Sequence, residues 1–357
     1  MPRASLPRLK DVAREANVSL SAASRILRGQ GSRYSKETRN RVLSASQKLG
    51  WRQNLLVNGM QTGQTRTIGV MIPPYDSFWV GILDGIHTTL AKSDFLPITV
   101  WPGGWREFGA FEAQKEEGFE LISRLLDRRV EGLILWPTYA VAYREHFRDL
   151  TTGAIPVGVI DHTYSTDVLT DVVEADDRKG AVAVAKYLLA KGHRRIACLS
   201  TREIEAQTWA VRRREAFEAA IDQDKNSQCR SWRLNSAGDN GLAVAKELLS
   251  SKFAPTAVFC VSDHEAKFVY AAADQLGMSI PKDISVIGFD DIHLCRVMNP
   301  PITTVRQPLE QLMKSAVALL IGRMEGKKDG SMENVTMVPE LMVRGSTAVA
   351  PAAVPKR

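Results

Sequence analysis

Arg25 sits in the run Ser19-Leu20-Ser21-Ala22-Ala23-Ser24-Arg25-Ile26-Leu27-Arg28. Its guanidinium can donate two parallel hydrogen bonds to the O6 and N7 of a guanine. Leu20 and Ser21 can touch a thymine methyl or another base edge. A helix must present these side chains, and Ser19 is a good N-cap for one. On that helix Ala23, Ile26 and Leu27 share an apolar face, while Leu20, Ser21, Ser24 and Arg25 lie toward its start and on the other side. Residues at the start of a recognition helix are the ones that meet base edges in a major groove.

A second set of chemically able residues follows short β-branched runs. It comprises Tyr75, Asp76, Trp101, Trp136, Asp161, His162, Ser262, Asp263 and Asp290. Open α/β sheets bind ligands beyond the carboxyl ends of their strands, so these positions are site candidates. His162 and His264 are placed to line such a cleft, but no second histidine stands at metal spacing. Trp101, Trp105 and Trp136 fit either stacking on a ligand or simple packing. His193, in Gly-His-Arg, reads as a structural turn residue, and Arg212 and Arg214 as solvated helix face.

The elements that must position the first set are three short helices. Leu9, Val12, Ala13 and Ala16 form one stripe, Asn17 takes the turn, and the Ser19 helix follows. Ser35 caps a third helix with Val42, Ala45 and Leu49 on its stripe, and Gly50 ends it. Residues 1–62 hold 12 basic against 3 acidic side chains, a balance of +9 in a chain whose total is +7. The remainder is therefore −2. A small basic head on a near-neutral body is the charge layout of a protein that grips phosphate at one end.

The body alternates strands with amphipathic helices, which predicts parallel sheets wrapped by helices. Strand candidates are 68–72, 97–101, 132–136, 157–160, 195–200, 232–234, 257–261 and 285–289. Domains are expected at 1–52 (head), 53–65 (hinge), 66–347 (two-lobed body) and 348–357 (flexible tail). The lobes are expected at 66–165 with 296–330, and at 166–295 with 331–347. The fold class is α/β with a helical head.

Four cysteines fit no zinc or disulfide spacing and read as free thiols. Neither a signal-peptide pattern nor a bilayer-length apolar run is present, so the expected location is the cytoplasm, with no membrane partner. HExxH, Walker, paired CxxC, GxSxG and dinucleotide glycine motifs are lacking, which argues against an enzyme and against a cofactor or metal.

Asp11-Val12-Ala13, Ala16-Asn17-Val18-Ser19, Ala22-Ala23-Ser24-Arg25-Ile26-Leu27-Arg28 and Tyr34-Ser35-Lys36-Glu37-Thr38-Arg39-Asn40-Arg41-Val42 resemble the head of the LacI/GalR family of bacterial transcription regulators. Further similarity runs through Arg129–Ile134, Gly192–Ala197, Pro255–Cys260, Ile284–Asp291 and Thr303–Pro308. The resemblance implies a three-helix helix-turn-helix head and a two-lobed body shaped like periplasmic sugar-binding proteins. It implies DNA contacts from Ser19, Leu20, Ser21, Ser24, Arg25 and Arg28. It also implies contacts from Asn54 and Met60 in a hinge that folds on operator DNA, with Met60 as the minor-groove wedge. Arg8, Ala22 and Arg28 depart from the family pattern, which redistributes phosphate contacts. By position it implies effector contacts from Phe78, Trp79, Asp161, Arg213, Asp263 and Asp290, with Ser262 beside them.

Carboxylates, an arginine and aromatic faces suit a sugar or a sugar acid. A purine corepressor is the alternative. So is a sugar-binding protein without a regulatory role. The implied partners are pseudo-palindromic double-stranded operator DNA, that effector and a second copy of the chain. The Ala/Pro-rich end lacks a leucine heptad, which favours a homodimer over a tetramer.

Overall fold

The structure is a computed structural model that describes residues 7–52, 64–72, 74, 76–101, 111–135, 155–160, 170–201, 208–234 and 241–351. Two compact units divide the chain, Met1–Thr65 and Arg66–Arg357.

In the first unit, α1 (Leu9–Glu15), α2 (Leu20–Leu27) and α3 (Lys36–Leu49) pack around Val12, Ala13, Ala16, Ala23, Ile26, Val42 and Ala45. Asn17 takes a left-handed φ of 52° between α1 and α2. Asparagine tolerates that conformation because its short polar side chain can bond locally. Ser19 Oγ accepts from the Ala22 N–H at 3.2 Å and starts α2, and Ser35 Oγ does the same for Thr38 and α3. Asp11 accepts from the Arg8 backbone N–H at 2.9 Å, so the start of α1 is tied although Arg8 is an unusual cap. Lys48 and Glu15 pair at 2.6 Å between α3 and the end of α1.

The second unit holds two six-stranded sheets. One is ordered β11-β5-β4-β3-β1-β2, with β1 (Thr67–Met71), β2 (Leu96–Val100), β3 (Gly132–Leu135), β4 (Val157–Ile160), β5 (Asp171–Ala175) and β11 (Asn334–Met337), all parallel. The other is ordered β12-β10-β9-β8-β6-β7. Its strands are β6 (Arg195–Thr201), β7 (Gln228–Leu234), β8 (Ala257–Cys260), β9 (Ser285–Asp290), β10 (Thr303–Arg306) and β12 (Glu340–Met342), and only β12 is antiparallel.

The first sheet carries α4 (Ser77–Lys92), α5 (Phe111–Asp127) and α11 (Leu309–Met324). The second carries α6 (Asp177–Ala190), α7 (Thr208–Asp222), α8 (Gly241–Ser250), α9 (Asp263–Gln275) and the short α10 (Leu294–Val297). Each lobe thus buries apolar residues on both faces of its sheet, as parallel sheets require.

The expected lobe boundaries need correction. β5 and β11 belong to the first lobe and β10 to the second, while β12 lies in the second as expected. The chain crosses three times: between β5 and α6, between β10 and α11, and between β11 and β12. Periodicity shows that a segment is a strand but not which sheet it joins, and short segments such as Glu340–Met342 show little periodicity at all. The tail also needs correction. Residues 348–350 are held to the second lobe by Ala348 N–H on Ser285 Oγ (3.1 Å), by His193 Nε2 against the Ala348 carbonyl (3.1 Å) and by Ala350 N–H on the Lys191 carbonyl (2.8 Å). His193 is fully buried, and burial lowers its pKa, so it is a neutral structural residue.

Candidate DNA-reading face and inter-lobe cleft

In the head, α2 buries Ala22, Ala23 and Ile26 and leaves Leu20, Ser21, Arg25 and Arg28 exposed, with Ser19 exposed at the cap and Ser24 half-buried. Leu20 is 52% exposed at the first position of the helix. A large apolar side chain there gains nothing from the core and is available to a thymine methyl. Ser19 and Ser21 hydroxyls lie 3.1 Å apart beside it. No carboxylate of α2 competes for Arg25, because the helix contains none. Asn54 and Met60 lie outside the described residues, as do Tyr75, Trp105, Trp136, Asp161 and His162.

In the body, the carboxyl ends of β8 and β9 gather the residues expected there. Arg213, on α7, is 3% exposed. Its Nε donates to Asp177 Oδ1 (2.7 Å), and its Nη1 donates to the Val261 carbonyl (2.9 Å) and lies 3.1 Å from Asp290 Oδ1. The guanidinium stacks on Phe289 (3.7 Å) and Trp209 (4.4 Å). Gln307 Nε2 also donates to Asp290 Oδ1, at 2.7 Å.

Asp290 and Asp291 both have positive φ, 112° and 56°. Such strain in non-glycine residues clusters where a side chain must be aimed. Burial pushes the Asp290 carboxyl up to about 6, against the opposing pull of Arg213 and Gln307. Asp291 turns the other way, to Arg306 (2.6 Å) and Arg344 (2.6 Å), which outweigh its burial and hold it below the usual carboxylate range.

Asp263 plays a different part from its neighbour. It is fully buried, accepting from Thr304 Oγ1 (2.6 Å) and from the Ile292 N–H (3.0 Å). A Cβ on Gly288 would stand 2.0 Å from its Oδ1, so only glycine admits this carboxylate against β9. Asp263 ties α9 to β10 and to the chain beyond β9. Burial, then the charge of Asp290, push it up to about 7. Ser262 is the N-cap of α9, its Oγ accepting from the His264 N–H at 3.3 Å while its own N–H bonds Glu265.

Trp79 lies in the core of the first lobe, whereas Phe78 packs against the cores of both lobes. Asp76 caps α4 by accepting from the Phe78 N–H (2.7 Å), and its Oδ2 lies 2.9 Å from His264 Nε2 on the other lobe.

Arg212 and Arg214 are not solvated face. Arg212 reaches Asp177 (2.8 Å) and Arg214 reaches Glu218 (2.9 Å), both largely buried. Helical spacing places them beside Arg213 but does not show that acids from β5, α6 and α7 itself meet them. Asp177, Gln307 and Trp209 belong to the cluster and carry no motif in sequence; each is recruited by tertiary packing. Burial raises the pKa of all four cysteines, and none is a ready nucleophile.

Among known proteins, residues 8–54 match the lacI family of bacterial regulatory proteins, and residues 185–347 match the periplasmic binding protein-like domain. The chain is 29% identical over 354 residues to the HTH-type transcriptional repressor CytR of Escherichia coli K12, covering 96% of this chain and 97% of that one. A LacI family transcriptional regulator from Enterococcus faecium, solved with bound ribose, is 27% identical with a TM-score of 0.67, over 80% of this chain and all of that one. The lac repressor dimer bound to operator and an anti-inducer shares the fold with a TM-score of 0.79 at 22% identity, over 96% of this chain and all of that one. Head and body match in the same order along nearly the full length, an arrangement similar to that of the LacI/GalR family of bacterial transcription regulators.

Proposed function

We propose that the protein is a sequence-specific transcriptional repressor whose grip on operator DNA is set by a small molecule bound between its lobes. The observation that carries this is the outer side of α2, where exposed Leu20, Ser21 and Arg25 stand on a capped helix in a basic head. A dimer would read the two half-sites of a pseudo-palindrome about one helical turn apart. Asn54 and Met60 would add contacts from the hinge. The likeness to CytR and to a ribose-bound regulator supports the reading, and a sugar or sugar acid is the proposed effector class.

In the cleft, Arg213 and Asp290 are the proposed polar contacts, with Phe78 and Trp209 as apolar walls and Asp161 completing the set. Asp263, Ser262 and Trp79 would support these contacts from behind. Asp290 is held by Gln307, just before the second crossing, and Arg213 by Asp177, just after the first. An effector that competes for either group pulls on a crossing segment, and so on the angle between lobes. By linkage, it changes operator affinity by the factor by which operator changes its own.

The test is a screen of sugars, sugar acids and nucleosides by thermal shift on the native chain and on Asp290→Asn. A compound that raises the native Tm and leaves the variant unmoved is the expected result. A hit that stabilises both equally would remove Asp290 from the site.

A further inference from the structure

The ion pair between Asp76 and His264 is not among the groups just assigned to the effector. Asp76 caps the first helix of one lobe, and His264 lies in the first turn of α9 in the other. Two apolar contacts also cross between the lobes: Phe78 touches the second lobe's core, and Trp209 of α7 touches the first lobe's core. The side chains of Asp76 and His264 are only 26% and 36% exposed, so the pair is partly withdrawn from solvent. The imidazole N–H does not point squarely at the carboxylate, and the contact is one of opposite charges more than of a linear hydrogen bond.

We propose that Asp76 and His264 form a proton-dependent latch that holds the two lobes closed when no effector is bound. The consequence for DNA binding rests on the repressor reading; the closure itself does not. A neutral imidazole cannot hold the carboxylate by charge, so removing one proton weakens the latch. Three acids face His264: Asp76 from the α4 terminus, Glu265 from its own helix and Asp290 from β9. Burial lowers the His264 pKa, but the contact with Asp76 and the charges of Glu265 and Asp290 outweigh it, and the net shift is upward. For Asp76 burial acts upward, but His264 and the N–H groups of Phe78 and Trp79 outweigh it, and the net shift is downward.

The signs follow. The histidine's contribution is complete below its ordinary value of 6.5 and is lost as pH rises through its raised one. The carboxylate's contribution is complete above its ordinary 3.8 and is lost as pH falls through its lowered one. Burial pushes Glu265 up to about 7, and one of its oxygens has no hydrogen-bond partner. It gains charge as pH rises, which delays the loss of the imidazolium proton without preventing it. The closed state is therefore favoured in mildly acidic solution and released in alkaline solution.

The test is double electron–electron resonance on the full DNA-free chain. Spin labels go on Leu96→Cys in β2 and Leu276→Cys at the end of α9, in a Cys229→Ser background, with labelled chain diluted into unlabelled chain. Between about pH 6 and pH 8.5 the open fraction is expected to rise about three- to fivefold, the size an ion pair of this exposure supports. Asp76→Asn and His264→Gln are expected to be open to the same extent at both pH values. A native chain with one unchanging distance distribution overturns the latch, as do variants that keep the native pH response. The native titration decides even where a variant folds poorly. Failure here would leave DNA retention by the head untouched, which separates the two claims.

Discussion

Arg213 is gripped by two carboxylates, a carbonyl and two aromatic faces, which makes it the most constrained charge in the cleft. Removing it would leave Asp290 buried without its cation, while Asp177 keeps Arg212, a loss of about 3–5 kcal/mol. Arg213→Ala is therefore expected to cut stability as well as effector response, measured by urea melts, and Asp290→Asn is the cleaner probe of the site. Asp263 has a sharper signature. Its raised carboxyl binds a proton in the folded chain that the unfolded chain releases near 3.8. Native stability must then fall as pH rises from about 4 through about 7 on this account. Asp263→Asn is expected to flatten that slope, and Asp263→Leu to destabilise by about 2–4 kcal/mol through two lost hydrogen bonds; a pH series of urea melts reads both. In the head, Arg25→Ala is expected to cost about 1–3 kcal/mol of discrimination between specific and random DNA with the fold unchanged, by competition binding. Arg25, Leu20 and Asp290 were legible because helical phase and strand ends place them. The separate parts of Asp263 and Asp290, one apart from the other by a network of partners, were not, because neighbouring chain segments decide them.

Local chemistry explains which elements could be read. Asn17, Ser19, Ser35 and Gly50 are each placed by their own side-chain or backbone preference, and the structure uses each for the expected turn or cap. Strands β3, β4, β6, β8 and β9 are buried apolar runs and announce themselves. β5 alternates, with Asp171 buried against Arg323, and β11 and β12 are short and partly exposed, so they depend on the sheet they join. Ser19→Ala is expected to cost about 0.5–2 kcal/mol through the lost cap, visible as a lower head melting temperature. Truncation after Met342 removes buried Ser346, whose hydroxyl serves Val286 and Thr303. That truncation is expected to destabilise the second lobe, read as a lower urea midpoint.

At the scale of the whole molecule, charge is concentrated in the head, and ligand-type chemistry in the body. Among the described residues no helix is long and apolar enough to cross a membrane. The head's balance of +9 implies salt-dependent DNA binding, since each phosphate neutralised releases counterion. The architecture of two lobes and three crossings between them was legible in the sequence, but the crossings fall after β5, after β10 and after β11, each later along the chain than expected, because chain reversal between sheets leaves no periodic mark.

The most direct measurement is retention of sheared genomic DNA on the purified full chain, followed by sequencing of what stays bound, with a chain lacking residues 1–62 alongside. The account predicts a few pseudo-palindromic fragments, all lost with the head. Uniform retention without a shared site, or the same fragments retained without the head, would contradict it.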